Sequence, residues 1–216
     1  MTEIIDFFQF ILNSEAILNQ GGLWLVTLIV YVETGWFFGF FLPGDYLLFL
    51  AGLFCATTLE IPIALMFGCI FGAAVLGNFS GYFFGKTVGG RFLQRRDTWY
   101  FKKSYVENTK KFFMKYGGKA LIIGRFLPII RTFSPLFAGI AQMKLGIFSL
   151  YNVLGGLLWS SVLVFGGYYL GVSFPGIIDY VHYIILFFLT VTTFTVIRSY
   201  LRLRKEAKSK KTIENS

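Results

Sequence analysis

Apolar positions run through this chain in long unbroken stretches, without the alternation or one-sided periodicity of elements half exposed to water. A membrane-crossing helix needs about 20 predominantly apolar residues. Residues 62–85, 146–171 and 178–199 meet that length, the first ending at Lys86 and the last at a basic tail. They predict three full transmembrane helices. Two other apolar stretches are interrupted. Within 22–54, Glu33 breaks the apolar run and Pro43-Gly44-Asp45 breaks any helix. Within 118–142, Arg125, Pro128, Arg131 and Pro135 stand close together. Each stretch predicts a re-entrant hairpin, two short helices around an irregular centre. Irregular backbone at membrane depth is tolerated only where protein buries it or water lines it.

The interrupted stretches resemble each other. Gly39-Phe40-Phe41-Leu42-Pro43 matches Gly124-Arg125-Phe126-Leu127-Pro128, with Ala51-Gly52 and Ala138-Gly139 following. Gly81-Tyr82-Phe83-Phe84-Gly85 matches Gly167-Tyr168-Tyr169-Leu170-Gly171 at nearly the same offset. Each unit then holds one hairpin and one full span. A single crossing separates the hairpins, so they enter from opposite faces as an inverted repeat. Repeats of this kind place binding sites at their interface near the midplane. The organisation read from the chain is a repeat over about 21–86, a basic interfacial segment over 87–118 and a second repeat over about 119–175. Together these form one core over 21–175. A last span over 176–200 and a tail over 201–216 follow.

Charge orients this arrangement. Residues 1–85 contain no lysine or arginine. Of the 20 basic residues, ten fall between Lys86 and Lys119 and seven between Arg198 and Lys211. Cation-rich loops stay on the cytoplasmic side, so 86–119 and the tail are expected inside and the N-terminus outside. Residues 1–20 alternate polar and apolar positions and carry Glu3, Asp6 and Glu15. They predict an amphipathic helix on the outer surface, and the missing basic n-region argues against a cleavable signal. Aromatics Trp99 to Tyr116 interleave with the cations of 91–117, which suits a helix resting on anionic inner-leaflet lipid. A solvated basic loop is the plainer alternative there.

Composition agrees: 56% of residues are hydrophobic, 20% aromatic and only 14% charged. Soluble domains are about one quarter charged, so this chain cannot cover a water-facing surface. The net charge of +9 is juxtamembrane, which makes lipid headgroups and not nucleic acid the expected partner. Cys55 and Cys69 lie in apolar sequence without metal-ligand spacing and read as small buried hydrophobes. No cofactor motif is present, and nothing in the chain indicates an oligomeric state. His182, the lone histidine, reads as an interfacial residue. Gly72, Gly77, Gly81 and Gly85 read as small residues for close helix packing.

Four charges in apolar surroundings carry the candidate chemistry: Glu33 and Asp45 in the first interrupted stretch, Arg125 and Arg131 in the second. Each ionisable group at depth costs about 2.5–3.5 kcal/mol on insertion scales. Two compensating ion pairs that pin the hairpins together are one reading. A polar binding site is the other, since buried pairs often fail to recover their desolvation penalty. Arginine matches phosphate in bidentate fashion, and neighbouring carboxylates can take up or release a proton. Pro43, Gly44 and Pro128 are the hairpin breaks, with Asn78, Thr132 and Ser134 as supporting polar groups.

Taken together, Glu33-Thr34-Gly35, Phe41-Leu42-Pro43-Gly44-Asp45, Gly77-Asn78 with Gly81-Tyr82, and Arg125-Phe126-Leu127-Pro128-Ile129-Ile130-Arg131 resemble the signature of the DedA family. That family is also called the SNARE-associated or VTT-domain family, and the similarity covers roughly residues 20–175. The resemblance implies an all-α polytopic fold with two opposed re-entrant hairpins, a bacterial inner-membrane location and lipid transport. Bacterial members are implicated in returning undecaprenyl phosphate across the membrane, and eukaryotic relatives scramble phospholipids. The family's acidic pair maps onto Glu33 and Asp45, and its arginine pair onto Arg125 and Arg131. The expected function is movement of a polyprenyl phosphate from outer to inner leaflet, with proton coupling through the acids and no catalysis. A general phospholipid scramblase, a proton-coupled small-molecule exporter and a membrane lipid-phosphate enzyme are the alternatives.

Overall fold

The computed structural model describes residues 22–36, 44–93, 116–125, 128–187, 190, 191, 193 and 194. The outer helix over 1–20, Pro43, most of the basic segment and the tail over 201–216 lie outside the described residues. So does part of the last span. The described elements are helices and their turns. In chain order they are α1 (Gly22–Gly35), α2 (Gly44–Thr57), α3 (Ile63–Leu93), α4 (Lys119–Arg125), α5 (Pro128–Ile140) and α6 (Leu145–Ser173). A 3-10 turn, Pro175–Tyr180, leads into helical residues 181–187.

Length sorts these helices. At about 1.5 Å per residue, α3 with 31 residues and α6 with 29 are longer than the hydrocarbon core is thick. Only 33% and 39% of their most apolar stretches are buried inside the protein. Leu65, Leu76, Leu150, Leu157 and Val162 point outward instead. An apolar surface of that extent suits a face covered by lipid or by another protein. α1 and α2, of 14 residues each, reach only ~21 Å. That is too short to cross. α3 continues as helix through Lys86 to Leu93, beyond the expected end of the span, because nothing in 86–93 breaks helical hydrogen bonding.

Packing partners alternate between the two halves. α2 lies mainly on α6 and α5 mainly on α3, while α1 packs on α3 and α4 on α6. Glycines make the approaches possible. A Cβ on Gly52 of α2 would strike the Val164 carbonyl of α6, and one on Gly167 of α6 would strike the Phe49 carbonyl of α2. The other pair repeats this: Gly139 of α5 meets the Tyr82 carbonyl of α3, and Gly85 of α3 meets the Leu136 carbonyl of α5. Backbones this close favour small side chains. Gly77 likewise receives Thr34 and the Tyr31 carbonyl, but a Cβ on Gly72 would meet nothing within 4 Å.

Pro135 lies inside α5 without ending it. Its ring leaves room-demanding contacts to Gly81, where an added Cβ would sit 3.4 Å from the proline Cβ. Pro128 is the first residue of α5, a position where its missing N–H costs nothing. Gly117, at φ 57°, makes the turn into α4. Tyr82 stacks on Phe148 with ring centroids 4.3 Å apart and donates its hydroxyl to the Met143 carbonyl. That contact fastens α3 to the α5–α6 turn.

Candidate functional site

The four candidate charges stand at the ends of four different short helices. Glu33 is in the last turn of α1, Asp45 in the first turn of α2, Arg125 at the end of α4 and Arg131 in the first turn of α5. A helix favours anions at its N-terminus and cations at its C-terminus. Asp45 and Arg125 therefore sit where their own helices support them. Glu33 and Arg131 sit against theirs, and they pair with each other. The Glu33 carboxylate also lies against Gly44, the first residue of α2, where any side chain would collide with it. This explains the glycine in the Pro43-Gly44-Asp45 break.

Both carboxylates converge on one guanidinium. Arg131 donates Nη2 to Glu33 Oε1 and Nη1 to Asp45 Oδ1. Glu33 and Arg131 are buried, while the Asp45 side chain keeps 26% of its exposure. Asp45 is thus the most exposed of the three. The indole of Trp159 on α6 donates Nε1 to Asp45 Oδ1 at 3.1 Å. Its ring centroid lies 4.9 Å from Arg131 Cζ and 5.9 Å from Arg125 Cζ.

Arg125 has different company. Its Nη2 donates to Asn152 Oδ1 at 2.6 Å and to the Asn152 carbonyl at 3.2 Å. No carboxylate among the described residues reaches it, and Nη1 is buried without a hydrogen-bond partner. Leaving a buried donor unmade costs about 1–3 kcal/mol, more when it is charged. Glu33 Oε2 and Arg131 Nε are buried without a partner as well, so the cluster as a whole keeps unused donors and an unused acceptor.

Of the residues expected from the sequence, all but Pro43, which lies outside the described residues, have a place in the structure. Glu33, Asp45 and Arg131 meet directly, and Arg125 joins them across the Trp159 ring. Asn78 of α3 places Nδ2 at 2.8 Å from Asn152 Oδ1. Thr132 and Ser134 are buried on α5 just after Arg131. Asn152 and Trp159 were not singled out by sequence reasoning. Both carried a signal: an amide inside an apolar span, and an indole far from the interfacial belts where tryptophan collects. His182 is exposed, its ring tilted 43° to that of Tyr183 with centroids 4.1 Å apart, and it contributes no contact to this group of charges. Cys55 and Cys69 are free thiols.

Comparison with known proteins matches the chain to a family. A VTT domain matches residues 42–169, a range that takes in Asp45, Asn78, Arg125, Arg131, Asn152 and Trp159. The protein named DedA of Escherichia coli K12 is 35% identical over 173 residues, covering 78% of this chain and 79% of that one. An uncharacterised membrane protein of Mycobacterium tuberculosis is 36% identical over 172 residues, covering 79% of this chain and 75% of its own. The inner membrane protein YqjA of Escherichia coli K12 is 33% identical over 144 residues, covering 66% of this chain and 64% of its own. No solved structure matches significantly. The chain belongs to the DedA family of VTT-domain membrane proteins.

Proposed function

We propose that this protein is a bacterial inner-membrane lipid transporter that carries a polyprenyl phosphate, with undecaprenyl phosphate as the leading substrate, from the outer to the inner leaflet. The observation that carries the reading is the buried cluster of two guanidiniums and two carboxylates, assembled from the ends of four helices too short to cross the membrane. A phosphate headgroup passes through this polar centre while its prenyl chain stays in lipid. The reciprocal packing of α2 on α6 and α5 on α3 supports an inverted repeat with opposed hairpins. Alternating exposure of one central site follows naturally from that symmetry. The N-terminus then lies outside and the basic tail inside, against anionic lipid.

The cluster is formally neutral, with two cations and two anions. An arriving phosphate adds negative charge in a poorly solvated place. Uptake of a proton by Glu33 or Asp45 offsets one unit of that charge, so each headgroup crossing is linked to a proton. No step in this cycle makes or breaks a covalent bond.

A leaflet assay on purified protein in proteoliposomes tests the proposal. Labelled polyprenyl monophosphate is expected to change leaflet with a rate set by the proton gradient, while a zwitterionic phospholipid does not. Equal movement of both lipids identifies a scramblase, and release of inorganic phosphate identifies an enzyme. Either result overturns the proposal.

A further inference from the structure

Arg125 lies in a trough that α6 builds for it. A Cβ on Gly155 would press on Arg125 Cδ at 3.1 Å and Nε at 3.3 Å, and one on Gly156 would lie 3.4 Å from Nη2. Two successive glycines thus let the side chain lie along the helix. One turn earlier, Asn152 closes the trough. Its Nδ2 donates to the Val75 carbonyl of α3 at 3.1 Å. A carbonyl only accepts, so the amide nitrogen must face Val75 and Oδ1 must face Arg125. Asn152 is 1% exposed and held at both ends.

Asn78 reinforces the same edge. Its nitrogen donates to Asn152 Oδ1, and turned over, its oxygen accepts from Arg125 Nη2 at 2.6 Å while its nitrogen reaches the Thr34 carbonyl at 3.2 Å. In both orientations a neutral amide serves Nη2. Nη1 stays buried and unpartnered among the described residues. At Arg131 two carboxylates occupy both terminal nitrogens and only Nε is left without a partner. An asparagine supplies an acceptor without neutralising the cation; an aspartate would do both.

We infer that Asn152 is a positioning residue that aims Arg125 Nη1 at the incoming phosphate, making Arg125 the first guanidinium to engage the headgroup while Arg131 stays with Glu33 and Asp45. This inference rests on the lipid-phosphate reading and divides the labour of the two arginines within it. The ligand is recognised as a phosphate oxygen, whether from a lipid headgroup or from free phosphate.

The test is equilibrium binding of farnesyl monophosphate and of inorganic phosphate to the full chain in nanodiscs, read by calorimetry, with thermal stability measured in parallel. Asn152→Asp keeps the size and the acceptor but pairs Arg125 with a carboxylate. Farnesyl monophosphate affinity is expected to fall at least tenfold while the melting temperature holds or rises, a split that a purely structural asparagine would not produce. Asn152→Ser removes the acceptor from reach without adding charge, and affinity is expected to fall severalfold. It decides the matter if the aspartate variant does not insert. Displacement by inorganic phosphate shows that the headgroup alone is recognised; its absence shows that the prenyl chain is needed to deliver it. Wild-type affinity in either inserted variant overturns the positioning role alone. A wild-type protein that binds neither probe overturns the transport reading and this inference with it.

Discussion

Arg131 of α5 lies over the indole of Trp159 of α6, the guanidinium carbon 4.9 Å from the ring centroid. The same indole donates to Asp45, which Arg131 also holds. One aromatic side chain thus fixes both members of an ion pair. A cation–π contact contributes about 0.5–2 kcal/mol, and a hydrogen bond to a charged group about 1.5–3 kcal/mol. Trp159→Phe keeps the ring face and loses the donor; Trp159→Leu loses both. Transport is expected to fall about tenfold in the first, by the ~1.4 kcal/mol equivalence, and further in the second. Initial rates at matched protein levels measure this, and equal rates in both variants would exclude the cation–π part.

The two arginines should fail differently. Arg131→Ala strands two carboxylates, and removing one partner of a buried ionic group costs about 3–5 kcal/mol. Arg125→Ala loses the two Nη2 bonds to Asn152 but strands no carboxylate among the described residues, so its stability loss should be smaller. Both are expected to abolish transport. Thermal unfolding in detergent separates them, and matching losses would contradict the asymmetry. Arginine to lysine at either site keeps charge but loses the planar fork, so transport should drop sharply. Full activity with both lysines would reduce phosphate recognition to charge balance.

Glu33→Gln and Asp45→Asn imitate the protonated acids. They are expected to bind lipid phosphate yet transport it without regard to the proton gradient. Rates measured across imposed pH differences decide this. If both neutral variants retain the normal pH response, the acids serve only to hold Arg131.

Close backbone approaches give a steric prediction. Gly52→Leu, Gly85→Leu, Gly139→Leu and Gly167→Leu each drive a side chain into a neighbouring carbonyl, and overpacking costs about 1–3 kcal/mol or more. Gly72→Ala meets open space and should gain a few tenths to about 1 kcal/mol from helix propensity. Melting temperatures of the purified variants provide the comparison.

Accessibility tests the inverted repeat. With Cys55 and Cys69 replaced, single cysteines near residues 15 and 60 should label from outside. Those near 100 and 210 should label only after permeabilisation. A cysteine at 43 should be reached from outside and one at 128 from inside. Both prolines open to the same side would sink the opposed-hairpin arrangement.

Much of this protein is legible along the chain. Span lengths follow from the size of an apolar run against bilayer thickness, and Glu33, Asp45, Arg125 and Arg131 announce themselves because charge is costly in hydrocarbon. Pro128 marks a helix start through local backbone chemistry alone. Spacing could not show which acid faces which arginine, because that depends on how α1, α2, α4 and α5 are brought together by α3 and α6. Tertiary packing put both carboxylates on Arg131 and left Arg125 to Asn152. It also drew Trp159 from a span that otherwise reads as uniform apolar sequence. Hydrophobicity is a sum over local residues and can be read in order; partnership among buried charges is a property of distances between helices, which only the folded chain defines.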